Sequence, residues 1–210
     1  MFESTPGVTI STMSSSLALA SVTALLKDLL ENGLASSGVT AKLGGDASVS
    51  AMAPDRISSG TDEKAQLNLF LYHVTPRSTL RHHPTTGPRP LTLELHYLLT
   101  AYGAQDYQTE ILLGHGLQIL HECPVMDKER IRTTLKALSH ARDRRVIPAP
   151  QAALAASTLA DAVDQITIEA EFLSTEEISR LWSALQAKFR PSATYKVSVV
   201  AIDGAGPTKA

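Results

Sequence analysis

The chain has a single cysteine, Cys123, so no disulfide can close within it. That suits a reducing compartment. Long apolar runs are missing as well. None approaches the ~18 uninterrupted residues of a membrane-spanning helix, and no membrane span is expected. Charge of one sign is also lacking: the formal net charge is −2, which offers no whole-molecule steering toward nucleic acid or a membrane. The N-terminal stretch MFESTPGVTISTMSSSLALASV has no positively charged start, and Glu3 lies where that charge belongs. Its apolar positions after Leu17 continue as an amphipathic helix, so no secretion signal is expected. Catalytic signatures are absent too. Gly44-Gly45 lacks the following lysine and helix of a phosphate-binding loop. No Gly-x-Ser-x-Gly elbow occurs, and no cysteine pairs exist for a zinc knuckle.

The chain does have a strong strand signal. At 210 residues, 43% hydrophobic and 19% charged, it has the composition of one globular domain. Two strand-like runs, QLNLFLYHVTP and LTLELHYLLTAYG, flank the polar, proline-rich segment 77–90. In the first, Leu67, Leu69 and Leu71 fall on one face and Phe70, Tyr72 and Val74 on the other. Both faces are apolar, which predicts a strand near the middle of a sheet. In the second, Leu91, Leu93, Leu95, Tyr97 and Leu99 share one face, and Thr92, Glu94, His96 and Thr100, with Leu98 among them, share a wetter one.

Around these runs the chain punctuates itself. Residues 1–15 read as a flexible leader, and a serine among Ser14 to Ser16 caps a first helix. Leu19, Val22, Leu26 and Leu29 repeat at helical spacing, widened by Leu25 and Leu30, and Asn32-Gly33 reads as the stop. Residues 39–43 and 47–53 read as a short hairpin turning at Gly44-Gly45-Asp46. Residues 58–64 read as polar linker. A helix is predicted over 106–122, with Ile111, Leu113, Leu117 and Leu120 inward and Gly114 and Gly116 permitting close packing on the sheet. A second follows over 127–140, with Ile131, Leu135 and Leu138 inward. The Ala-rich segment 151–163 reads as weakly anchored helix, and 165–171 as a strand with Ile166 and Ile168 inward. Ser174-Thr175-Glu176-Glu177 is a capping box. The helix it opens carries Ile178, Leu181, Trp182, Leu185 and Phe189 on one face and is closed by Pro191. Residues 193–202 alternate as a last strand, and 204–210 form a tail. The sum is an α+β fold, a mixed, mostly antiparallel sheet flanked by helices, with one domain over 16–203.

Few residues invite chemistry. Glu94 and His96 lie two apart on one strand face, so with a third ligand they would form a metal site and a metal-dependent enzyme; a hydrogen-bonded polar pair is the simpler reading. His115 and His121 lack the four-residue spacing of a helical metal pair. Cys123 shows no base to activate it and reads as structural. Lys128, Arg130, Arg132, Lys136, Arg142, Arg144 and Arg145 form a basic cluster over 128–145 that would suit a nucleic-acid-binding module. Asp127, Glu129 and Asp143 are interleaved with it and no aromatic residue joins it, which favours a solvated helix face.

Four stretches together resemble a known family: NLFLYHVTP (68–76), LTLELHYLLTAYG (91–103), LLGHGLQILHECP (112–124) and LWSALQAKFRPSATYKVSVVAID (181–203). In order and spacing they are similar to the tail-terminator, or cap, proteins of extracellular contractile injection systems, of the antifeeding-prophage and Photorhabdus-virulence-cassette type. The initial helix, with Leu25, Leu26, Leu29 and Leu30, fits that family's opening. The resemblance covers roughly residues 16–203. The leader before residue 16 and the Ala-rich 151–163 depart from the pattern. It implies a phage tail-terminator-like fold and a structural role: a six-fold ring on the distal end of tube and sheath, ending polymerisation and holding the two together. It implies self-association, with sheath and inner-tube proteins as partners. No nucleic acid or membrane partner, no catalytic residue, no cofactor and no metal are implied. Assembly would be cytoplasmic, followed by release as part of an extracellular particle. The loop 77–90, with Arg77, Arg81, His82, His83 and Arg89, and the arm 141–150, with Arg142, Arg144 and Arg145, are the candidate contacts between subunits or with partners.

Overall fold

The structure, a computed structural model, describes residues 17–58, 60, 63–77, 93–140, 159 and 163–201, and of residues 139, 140, 200 and 201 the backbone alone. In chain order the helices are α1 (Ala18–Ser36), α2 (Val39–Leu43), α3 (Gln108–Glu122), α4 (Lys128–His140) and α5 (Thr175–Ala184). The strands are β1 (Ser48–Ser50), β2 (Gln66–Pro76), β3 (Leu93–Tyr102), β4 (Val125–Asp127), β5 (Val163–Glu171) and β6 (Ser192–Ala201). The strands form one six-stranded sheet in the order β1-β2-β3-β6-β5-β4. Among the described strands only β1 against β2 is parallel, and the other pairs are antiparallel. The mixed, mostly antiparallel sheet with flanking helices is the one expected.

The register shows how the core forms. Leu67, Leu69 and Leu71 of β2 lie opposite Ala101, Leu99 and Tyr97 of β3. Tyr97 and Leu95 lie opposite Tyr195 and Val197 of β6, which lie opposite Ala170 and Ile168 of β5. Cross-strand partners share a face, so these residues make one apolar surface. It packs against α1, α3 and α4. The α1 stripe buries Val22, Leu25, Leu26, Leu30 and Leu34. Tyr97 is fully buried, and its hydroxyl donates to Thr23 Oγ1 at 2.9 Å while Thr23 donates to the Leu19 carbonyl at 3.0 Å. This satisfies a phenol whose pKa burial pushes well up.

Several expectations are corrected. Residues 39–43 are helix, not the first strand of a hairpin. Gly38 (φ 66°) and Gly44 (φ 68°), both left-handed, bracket that turn of helix. The strand expected within 47–53 is the three-residue β1, and it pairs in parallel with β2 instead of returning on 39–43. The first helix does not stop at Asn32-Gly33 but runs to Ser36. Gly33 is there because a Cβ would lie 2.6 Å from Ile119 Cδ1 of α3; tertiary packing, not termination, uses that glycine. A bulge at Tyr72 shifts β2, so Val74 pairs with Leu95 on the core side and does not share a face with Phe70. Strand β2 is second from the edge, and β3 and β6 are central. The second face of β3 is drier than expected, with Leu98 and Thr100 both fully buried. Leu117 is exposed, and Leu112, Gly116 and Leu120 are the buried side of α3. Gly116 allows close packing, with a Cβ position 3.0 Å from Leu67 Cδ1, while Gly114 faces open space. Helix α5 ends before Phe189; Gln186 turns left-handed at φ 51°, and Phe189 is 61% exposed.

The capping box forms as read: Ser174 N–H donates to Glu177 Oε2 at 2.8 Å, and Glu177 N–H donates to Ser174 Oγ at 3.2 Å. The inward positions expected on α4 and β5 are also found, with Ile131, Leu135, Ile166 and Ile168 buried. The leader, the loop from residue 78, the arm 141–150, the Ala-rich segment apart from Leu159 and Val163, and the tail lie outside the described residues. Among the described residues no helix is long and apolar enough to cross a membrane.

Candidate functional site

The second sheet face carries the densest polar chemistry. The pleat puts His73, Thr75, Glu94 and His96 there from β2 and β3, and Thr194, Lys196, Glu169 and Glu171 from β6 and β5. Glu171 reaches diagonally over Thr194 to His96. Its carboxylate oxygens lie 3.0 and 3.1 Å from His96 Nδ1. Thr75 Oγ1 lies 3.1 Å from His96 Nε2. With the proton on Nδ1, the imidazole donates to Glu171 and accepts from Thr75. The Tyr72 hydroxyl, on the bulged residue, donates to Glu171 Oε2 at 3.1 Å. Burial, the Glu171 charge and that hydrogen bond raise the Tyr72 phenol, in that order. The His73 ring leans on His96 at 5.3 Å. β2 and β3 are thus fastened to β5 across β6.

A hydroxyl, an imidazole and a carboxylate in a row are also the parts of a nucleophilic relay. Acyl transfer further needs a substrate cavity with paired donors for an oxyanion. A groove of about 790 Å³ lies instead among α1, α2, α3 and α4, lined by Gly33, Lys42, His115, Glu122, Cys123 and Arg130. What the described cluster does make is hydrogen bonds from β2 and β3 to β5.

The expected polar pair does not act together. Glu94 lies 3.8 Å from Arg77 Nε, while His96 binds Glu171 and Thr75. Among the described residues no group of three or more His, Cys, Asp or Glu is placed to hold a metal. His115 lines the groove, His121 is exposed, and Cys123 is buried with its thiol directed at the Val125 carbonyl. On α4, Lys128 lies 3.9 Å from Asp164 and Arg132 lies 3.3 Å from Glu129, so the basic face is interleaved with acids in space as in sequence. Of the candidate contact residues, Arg77 is half exposed beside Glu94. Arg81, His82, His83, Arg89, Arg142, Arg144 and Arg145 lie outside the described residues.

Sequence reasoning missed Glu63, which it assigned to a polar linker. Its side chain is 4% exposed, and its carboxylate accepts from Arg190 Nη2 at 2.6 Å and from the Gly103 N–H at 2.8 Å. Arg190 also covers the Tyr102 ring, 5.3 Å from its centroid. Linker, β3 end and β6 start are pinned at one point. No local signal marks this: a glutamate in a polar stretch reads as solvated unless the distant arginine is known. Asn68 is similar. It is buried, and its side-chain amide pairs with both backbone groups of Met52 at 3.0 Å, extending the sheet edge with a side chain.

The molecule is an α+β domain, a mixed six-stranded sheet backed by helices, with a hydrogen-bonded polar network linking β2, β3 and β5. The chain belongs to the Pvc16 N-terminal domain family, whose model matches residues 21–210. Its fold is similar to that of the PVC sheath/tube terminator of an extracellular contractile injection system in the extended state, at TM-score 0.51 and 18% identity. That alignment covers 91% of this chain and 61% of the other, so the chain spans well under the whole length of the protein it matches. A likeness to the tube-terminating cap of the anti-feeding prophage has TM-score 0.39 and 15% identity, over 85% of this chain and 56% of that one. No curated protein matches.

Proposed function

We propose that the chain is a structural cap subunit: it forms a six-fold ring at the distal end of the tube and sheath of a contractile injection particle, ends their polymerisation and joins them. The observation that carries this is the family match over residues 21–210. The terminator-like fold supports it. So does the polar chemistry of the sheet, which is spent on internal fastening across β2, β3 and β5. The role is structural and not catalytic. One domain over 16–203 carries it, with contacts from the loop 77–90 and the arm 141–150. Partners are other copies of the chain and the sheath and inner-tube proteins. The subunit assembles in the cytoplasm and leaves with the particle.

Light scattering with negative-stain imaging of the same peak tests this. The expected result is a ring of six 22.5 kDa chains that binds only the ends of purified sheathed tails. A monomer that ignores tail ends would overturn it. Deleting residues 78–89 is expected to weaken ring or tail binding; unchanged behaviour in both removes the loop from the contact.

A further inference from the structure

The two outer strands of the sheet are very short, and each shields only one corner. β1 pairs with residues 66–68 of β2. From 69 to 76 no described residue pairs with the outer edge of β2. At the other side β4 pairs with 165–167 of β5, and the Pro124 carbonyl accepts the Ile168 N–H at 2.7 Å. From 169 to 171 no described residue pairs with the outer edge of β5. The two stretches share one level of the sheet, where His73 aligns with His96, His96 with Lys196 and Lys196 with Glu169, and from there they run toward opposite corners. Side-chain exposure agrees. Val74 is 36% exposed although it sits on the core side, and Phe172, which directly follows the β5 edge, is 94% exposed. Unpaired strand edges are templates for a further strand.

We infer that these edges join copies of this chain head to tail, the outer edge of β2 in one subunit adding to the outer edge of β5 in the next. This rests on the ring reading above. Strand direction favours it. β2 runs with β6 and against β3 and β5. A rotation that preserves strand direction therefore brings β2 beside its neighbour's β5 antiparallel, with the core faces on the same side. Such a heterologous contact closes into a ring when its rotation suits. Length matches as well: the Tyr72 bulge and Pro76 limit straight pairing on β2 to 73–75, against 169–171 on β5. Charge argues against a symmetric β5 contact. Residues 66–77 contain His73 and Arg77 and no acid, and 169–172 contain Glu169 and Glu171 and no base. Arg77 also faces Glu94, Glu169 faces Lys196, and Glu171 faces His96 within the chain. A β5-to-β5 contact sets Glu169 against Glu171, whereas the mixed contact lays that acidic stretch beside one with no acid.

The test is cross-linking in the full chain. Val74 and Ala170 are exposed and lie on the same sheet face, since Val74 aligns with Leu95 and Ala170 with Tyr195. The Val74→Cys, Ala170→Cys double variant is oxidised and, separately, treated with a short bismaleimide that tolerates a two-residue register slip. Circular dichroism checks its fold, and the unmodified chain with its buried Cys123 is the control. The expected result is a covalent ladder ending at the ring size, with mixed single variants giving heterodimers only. An intact ring with no ladder would overturn the edge inference and leave the ring standing. Covalent dimers of Val74→Cys alone would overturn it in favour of a symmetric β2 contact. A monomer at every concentration would remove the ring reading and this inference with it.

Discussion

Removing the Glu63 carboxylate should loosen the sheet end where three chain segments meet. Glu63→Ala leaves Arg190 Nη2 and the Gly103 N–H without the acceptor they share. Deleting one member of a buried ion pair costs roughly 3–5 kcal/mol. The Arg190 side chain is 21% exposed and can partly rehydrate, which sets the loss at the low end, about 3 kcal/mol. At a urea m-value of about 2–3 kcal/mol/M, the unfolding midpoint should fall by about 1 M. Glu63→Gln keeps an oxygen for Gly103 and should cost less, about 1–2 kcal/mol. A cycle with Arg190→Ala should return a coupling within the roughly 0.5–3 kcal/mol seen for residues in contact. A Glu63→Ala midpoint shift worth under about 0.5 kcal/mol, the range of an ordinary surface substitution, would refute the reasoning.

Two neighbouring glycines of α3 should respond in opposite directions. Gly114→Ala meets nothing within 4 Å and should stabilise by up to about 1 kcal/mol through helix propensity. Gly116→Ala drives a methyl to 3.0 Å from Leu67 and 3.2 Å from Leu99, whose side chains are fully buried, and the overpacking cost of about 1–3 kcal/mol should outweigh the propensity gain. Thermal unfolding of the pair reads both signs. At the α5 cap, the Ser174 hydroxyl and backbone N–H hold the Glu177 carboxyl below its ordinary value. A depressed folded value means stability present above the ordinary carboxylate range and lost as pH falls through the folded value. Acid titration of helix content should therefore show wild type losing this increment, while Glu177→Gln, lower at neutral pH, lacks that component; identical acid profiles would refute it.

Much of the scaffold was legible because its signals are local. The alternation of Leu93, Leu95, Tyr97 and Leu99 follows from the pleat, and the Ser174–Glu177 box satisfies N–H groups three residues apart. What misled was punctuation with two uses. Gly33 carries the composition of a helix stop, yet it sits inside α1 to admit Ile119. Val39 to Leu43 has strand-like residues, yet left-handed glycines on either side close it into a helical turn. The Tyr72 bulge breaks the two-residue period that placed Val74. The polar network was half visible. Glu94 and His96 do share a face, but the partner of His96 is Glu171, 75 residues away, and no spacing rule connects them.

The sequence by itself determined the class of the molecule: an α+β domain with no disulfide, no catalytic signature and a leucine-rich sheet, because periodicity and capping depend on neighbours within a turn or a pleat. Tertiary structure alone decided the strand order, the parallel β1, the pinning of Glu63 by Arg190, and the stretches of β2 and β5 that no described residue pairs, at opposite corners of the sheet. Those depend on which distant segments lie side by side, and hydrogen-bond pairing between strands leaves no mark in the residues of either strand alone.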